Sequence, residues 1–229
     1  MQTEETPTYT DVDNIPFLAV SFPVQGRQLP ADHGYLLYAA ITKHIPSLHS
    51  AAWLGIELIS GLPWGKGVIA LPARSASLRL RLPVDKLGYV LRLAGARLEI
   101  DGYPLRLGIP VARPLVPASS LYARIVTIKK STEPEPFLDA AQRQLAQLGI
   151  AAVLEFPRDA HTRSRRIITI HGHKVVGFSL AAHGLSDEDS IKLRSGGLGG
   201  RRAMGCGMFN PIVKAIWSQE EDTAEAKEA

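Results

Sequence analysis

Residues 195–209 read Ser-Gly-Gly-Leu-Gly-Gly-Arg-Arg-Ala-Met-Gly-Cys-Gly-Met-Phe, six glycines in fifteen residues around the pair Arg201 and Arg202. Glycine at this density lets a backbone approach a ligand closely and turn N–H groups toward it, while paired arginines supply bidentate donors for phosphate. Gly196, Gly197, Gly199 and Gly200 with Arg201 and Arg202 thus form a candidate phosphate-binding loop, the alternative being a tight helix-to-strand turn. The spacing is not that of a Walker loop, which needs Gly-Lys-Ser/Thr. Nor is it a dinucleotide fingerprint, because the segment runs from helix to strand. His171 and His173 could be read as a metal pair, but no third ligand accompanies them and a hairpin turn explains them; no Cys/His cluster has zinc-ligand spacing, so no metal is expected. Cys206, the single cysteine, forbids an internal disulfide and reads as a small buried residue between glycines.

The elements that must position this loop follow from periodicity and turn chemistry. Residues 17–24 read as a strand and 29–45 as a helix opened by Pro30 and Asp32 and stopped by Pro46. Strand candidates follow at 53–59 and 66–71. Residues 77–82 alternate with period two, which puts Arg79 and Arg81 on one face and three leucines on the other. A short helix over 84–93 precedes a hairpin over 97–107 that turns at Asp101-Gly102. Residues 108–120 are proline-rich and aperiodic, and read as a linker. Beyond it come a strand at 121–130, a helix at 134–148 capped by Gly149, a strand at 150–156, a hairpin of 166–170 and 174–180, a helix at 186–194 and a strand at 206–213. Both halves have the order βαββαβ. The expected fold is therefore α+β, two tandem ferredoxin-like (RRM-like) modules over 14–107 and 121–218, with the glycine-rich loop near the C-terminus.

Charge sharpens the functional reading. The whole chain carries +4, yet residues 1–13 and residues 219–229 each carry −4, so residues 14–218 carry +12. A strongly basic body between two acidic tails makes a polyanion the first partner to consider. No apolar run approaches the roughly 20 residues of a membrane span, and the N-terminus is acidic where a signal peptide would be basic and then apolar. The expectation is a cytoplasmic protein with no membrane partner.

The loop at 196–207, near the end of a double ferredoxin-like chain, resembles the glycine-rich loop of the repeat-associated RAMP proteins of CRISPR systems. Within that superfamily, residues 29–38 (LPADHGYLLY) and 121–129 (LYARIVTIK) are similar to the repeat-processing endoribonucleases of type I systems, particularly the branch first described from myxobacteria. The resemblance spans roughly residues 17–213. It implies cofactor-free, metal-independent cleavage of CRISPR precursor RNA within its repeats, usually at the base of a hairpin, with the product retained as guide RNA. The 2′-hydroxyl attacks the adjacent phosphate and leaves a 2′,3′-cyclic phosphate and a 5′-hydroxyl. Such chemistry needs a base, an acid and cations around the phosphorane, and histidine suits the first two roles. Association with other subunits of a type I surveillance complex is a further implied partnership.

Relatives carry their catalytic histidine in or near the first helix, which makes His33, His44 and His49 the candidates. On one helix His33 and His44 would lie three turns, about 16 Å, apart, so they cannot serve one phosphate together. Tyr35 and Tyr38 match helix tyrosines that relatives use, and Ser164 could assist at the 2′-hydroxyl. The basic loop with Arg163, Arg165 and Arg166 corresponds to a groove-binding segment of relatives. Arg124, Lys129, Lys130, Arg79, Arg81, Arg201 and Arg202 complete the candidate RNA contacts, since a stem is read mainly through its backbone and shape. Two other readings share the fold: a non-catalytic RAMP subunit holding guide RNA, and a ferredoxin-like metabolite-binding domain.

Overall fold

The computed structural model describes residues 15–157 and 164–212. The acidic tails and Arg163 lie outside these residues.

The first module is built on β1 (Phe17–Gln25), whose alternate residues Val20, Phe22 and Val24 are buried. After a short β2 (Gln28–Pro30), helix α1 (Gly34–His44) lays Leu37 and Ile41, one turn apart, into the core. The strands β3 (Gly55–Glu57), β4 (Leu62–Gly65), β5 (Val68–Ala70) and β6 (Ser77–Pro83) follow, then α2 (Leu87–Leu91), β7 (Arg97–Ile100), β8 (Tyr103–Leu107) and β9 (Val111–Pro114). The main sheet has the order β3-β6-β1-β8-β7. Its strands β1, β3, β6 and β8 with α1 and α2 are the expected βαββαβ unit. The hairpin joining β7 and β8 turns at Asp101 and Gly102, both at positive φ (52° and 80°), as the Asp-Gly pair requires.

The second module contains β10 (Ser120–Val126), α3 (Pro134–Gln147), β11 (Val153–Glu155), β12 (Arg165–Ile170), β13 (His173–His183), α4 (Asp187–Gly196) and β14 (Asn210–Pro211). The order β11-β13-β10-β14 repeats the arrangement of the first module, and β12 extends it by pairing with the N-terminal half of β13. Phe137, Ala141 and Leu145 form the buried stripe of α3. Phe137 meets Phe178 of β13 with ring centroids 4.6 Å apart. Ser186 caps α4 by accepting the Asp189 N–H at 3.1 Å. Each module has its own apolar cluster.

Several expectations are corrected. Helix α1 starts at Gly34, five residues later than its pattern suggests, because residues 28–30 pair with β5 and the Ala31 N–H is taken by the Gly67 carbonyl. Residues 66–71 contribute β5 to a separate three-stranded sheet, β2-β5-β4, instead of to the main one. The stretch expected as a linker carries β9, which pairs with β1 from Leu18 to Ser21. The last strand is confined to Asn210–Pro211, since residues 202–207 are held in turns.

The modules are joined by polar contacts. Arg81, 1 % exposed, donates to Glu57 Oε1 at 2.9 and 2.7 Å, and across the boundary to Asn210 Oδ1 at 2.7 Å and the Arg194 carbonyl at 3.0 Å. The turn at Arg202–Met204 packs on α1 and β3 so closely that a Cβ on Gly34 would sit 2.3 Å from the Met204 carbonyl oxygen. Asp32 accepts the Thr169 N–H at 2.6 Å.

Candidate functional site

The exposed side of α1 presents Tyr35, Tyr38, Ala39, Thr42 and Lys43, residues three and four apart on one face. Pro46 ends the helix and starts a single tight turn, Pro46–Leu48, which returns the chain so that His49 stands over the same face. Together with His171 these residues line a groove of about 430 Å³. Ser50 ties its members together: its Oγ is 3.0 Å from His49 Nδ1 and its N–H donates to the Tyr38 hydroxyl at 3.2 Å. With Nδ1 so engaged, His49 Nε2 is the nitrogen left for a substrate. Ser50 itself sits at φ 61°, a left-handed conformation uncommon for serine. The Tyr35 hydroxyl lies 3.0 Å from Nδ1 of His171, at the tip of the β12–β13 hairpin of the other module.

The other candidate histidines are elsewhere. His33 precedes α1 and is fully buried; its Nδ1–H donates to the Pro30 carbonyl at 2.8 Å and its Nε2 accepts the Ile59 N–H at 3.0 Å. Both nitrogens are spent, and burial lowers its pKa, which keeps the ring neutral. His44 faces a different depression with Arg97, Leu98 and Glu99. Ser164 is not among the residues lining the groove; its carbonyl accepts the Ser179 N–H at 2.7 Å at the foot of β12.

Tyr35 also lines a second depression of about 290 Å³, between the start of α1 and the strands β10 and β12, with Asp32, Arg124, Arg165 and Arg166. Arg166 Nε donates to Ser179 Oγ at 2.8 Å, and that hydroxyl donates to the Arg124 carbonyl at 2.7 Å. Desolvation within the depression, and then the neighbouring Arg166 charge, lower the pKa of Arg124 although part of its side chain reaches solvent. Among the described residues no ion pair joins these three arginines to a carboxylate. Crowded guanidinium groups of this kind are relieved by a bound anion such as phosphate.

The glycine-rich loop is built differently from the expectation. Its N–H groups turn inward: Gly197 to Leu193 O, Gly199 to Gln144 Oε1, Gly200 to Thr127 O, Cys206 to Arg201 O and Gly207 to Ile125 O, at 2.8–3.2 Å. Close approach to the second module's own backbone is what demands glycine, since a Cβ at Gly199 would lie 2.4 Å from Thr127 O and one at Gly207 2.1 Å from Leu198 O. Gly196 and Gly200 are exposed. Arg202 donates to the carbonyls of Ser195, Gly196 and Ala52, which spends it on the end of α4 and on the first module. Its neighbour Arg201 is exposed and keeps a single long contact, 3.4 Å to Thr127 Oγ1. Arg81 is buried and paired, while the Arg79 side chain is 52 % exposed and 3.5 Å from Glu57. Lys129 and Lys130 are exposed just past β10. Cys206 is buried, which pushes its thiol up to about 11 and removes it from redox chemistry at neutral pH.

The sequence reading did not name as site residues Lys43 and His171, which line the groove, or Ser50, which bonds to two of its members. For Ser50 and His171 the reason is local. Positive φ at a non-glycine residue is the structural sign of both (61° and 48°), and it has no signature in composition or period.

Comparison with known proteins adds the following. A family model described as Cas6 Crispr matches residues 18–214. A CRISPR-associated endonuclease Cas6 of Myxococcus xanthus (strain DK1622) is 41 % identical over 208 residues, covering 91 % of this chain and 87 % of that protein. The fold is similar to a solved CRISPR-associated protein Cas6 (TM-score 0.62, 11 % identity, 86 % of this chain and 100 % of that one). It is also similar to a Cas6-related protein of Pyrococcus furiosus (TM-score 0.60, 13 % identity, 86 % and 98 %).

Proposed function

The chain belongs to the Cas6 family of CRISPR-associated proteins, and from that premise we infer that it is an endoribonuclease that cuts CRISPR precursor RNA within its repeats, in the groove of Tyr35, Tyr38 and His49. The observation that carries the reading is the convergence of His49 and the two tyrosines on one groove that runs, through Tyr35, into the arginine-lined depression. A phosphate held by Arg124, Arg165 and Arg166 would lead the backbone of the RNA along β12 toward that groove, with Lys129, Lys130 and Arg201 as outlying contacts.

In the reaction the 2′-oxygen bonds to phosphorus, its proton passing to a base, and the bond from phosphorus to the 5′-oxygen breaks, that oxygen receiving a proton from an acid. His49, held through Nδ1 by Ser50, offers Nε2–H to the leaving oxygen. Lys43 supplies positive charge for the phosphorane. His33 has no nitrogen to offer, and His44 opens onto another surface. Nothing in the scheme draws on a metal ion. The product stays bound as guide RNA and brings the protein into a surveillance complex in the cytoplasm. No described helix is long and apolar enough to cross a membrane.

The test is incubation in excess EDTA with RNA carrying the organism's own repeat, beside copies with single 2′-deoxy substitutions. Cleavage at one position, abolished by one deoxy and slowed roughly 10²–10⁴-fold by His49→Ala with RNA binding retained, is the expected result. His44→Ala should cut at the wild-type rate. Tight binding without cleavage would overturn the nuclease reading in favour of an RNA-holding subunit.

A further inference from the structure

The tip of the β12–β13 hairpin is made of His171 and Gly172, at φ 48° and 77°. A two-residue turn with both φ values positive favours Asn-Gly or Asp-Gly; a histidine in the first place tolerates the left-handed conformation but is not what the turn would choose. Backbone economy does not explain the residue. Nor does stability, because its contact with Tyr35 is exposed to solvent and such bonds contribute little.

The ring instead reaches the other module. Its Nδ1 lies 3.0 Å from the Tyr35 hydroxyl, with the rings 4.5 Å apart between centroids and inclined at 49°. Two residues before the tip, the Thr169 N–H donates to Asp32, so the hairpin is moored to both sides of the start of α1. Around His171 stand Tyr35, Tyr38, Lys43 and His49 of the first module, with Asp32 beyond Thr169 and His173 and Lys174 next along the hairpin.

We propose that His171 is the positioning and proton-accepting partner of Tyr35, so that the active groove is completed only when the second module's hairpin docks on the first. This deepens the cleavage reading above and rests on it. Neutral His171 accepts the Tyr35 O–H at Nδ1 and holds the phenol oxygen with its lone pairs turned to the groove. As the 2′-oxygen bonds to phosphorus, its proton moves to Tyr35 Oη and the proton of Tyr35 moves to Nδ1, making His171 an imidazolium. His49 gives its Nε2 proton to the departing 5′-oxygen. Afterwards His171 returns a proton to water and His49 recovers one, so the transesterification consumes none.

The test uses His171→Asn, chosen because asparagine suits the turn, with Tyr35→Phe and the double variant. Single-turnover cleavage by His171→Asn should fall roughly tenfold or more and lose the acid limb of its pH–rate profile, while repeat-RNA affinity stays unchanged. The double variant should be no slower than Tyr35→Phe alone, because a relay broken twice is broken once. A wild-type rate and profile, multiplying effects, or a parallel loss of RNA binding would each overturn the proposal. A second readout does not depend on cleavage. In the free protein the Tyr35 ring resonances should titrate with His171 and cease to do so in His171→Asn. Absence of that coupling overturns the role of His171 even if RNA is cut, whereas coupling without any cleavage by the wild type overturns the nuclease reading instead.

Discussion

Arg201 and Arg202 are adjacent and chemically identical, yet their surroundings give them opposite duties. Arg202 satisfies carbonyls on both modules, one of them part-buried, so Arg202→Ala should cost about 1–2 kcal/mol of unfolding free energy in denaturant titration. Arg201→Ala should leave stability alone, weaken repeat-RNA binding and reduce the slope of log affinity against log salt by about 1. His33 makes a second prediction at this scale. Burial lowers its pKa in the folded state below the 6.5 of an ordinary histidine, so between those two values the unfolded chain binds the extra proton. Its contribution to stability is therefore complete above pH 6.5 and lost as the pH falls through the lowered folded-state value. Unfolding measured between pH 7.5 and 5.5 should show a steeper loss in the wild type than in His33→Asn.

At the scale of elements, the glycine-rich segment behaves as a packing device that lets a loop lie flat on β10. Gly199→Ala, with φ 74° and Thr127 O in the path of its Cβ, should destabilise the fold by roughly 2–4 kcal/mol. Gly200→Ala, whose Cβ meets nothing within 4 Å, should stay within about 0.5 kcal/mol of the wild type. Thermal melts of the two variants decide between this account and one in which the glycines chiefly contact ligand. The density of glycine was legible in the sequence; its cause was not, because the backbone it approaches, Thr127 and Ile125, lies some seventy residues earlier in the chain. The same non-local pairing hid β9 inside an apparent linker and drew residues 66–71 into a separate sheet. The turn at Asp101-Gly102 was legible, since positive φ at two successive positions favours that pair locally; the other hairpin was legible as a turn over residues 171–173, while its two-residue register, with His173 already in β13, was not.

For the molecule as a whole, two apolar cores are coupled through the Arg81–Glu57 pair and its bonds to Asn210 and the Arg194 carbonyl. Removing Arg81 leaves the buried Glu57 with only the half-exposed Arg79 at 3.5 Å, so Arg81→Ala should cost about 3 kcal/mol. It should also separate the unfolding of the two modules, visible as two calorimetric transitions in place of one. The sequence by itself determined the two βαββαβ units, because periods of two and 3.6 residues, turn pairs and caps are properties of neighbours in the chain. It determined the basic body as well, and the family through the loop and the segments around α1 and β10. Only the tertiary structure decided which basic residues face solvent, which of three histidines shares a groove with the tyrosines, and that the tip of a distant hairpin meets Tyr35. Period two tells that Arg79 and Arg81 share a face of β6, but whether a second module covers that face depends on residues more than a hundred positions away, and burial is settled by that cover.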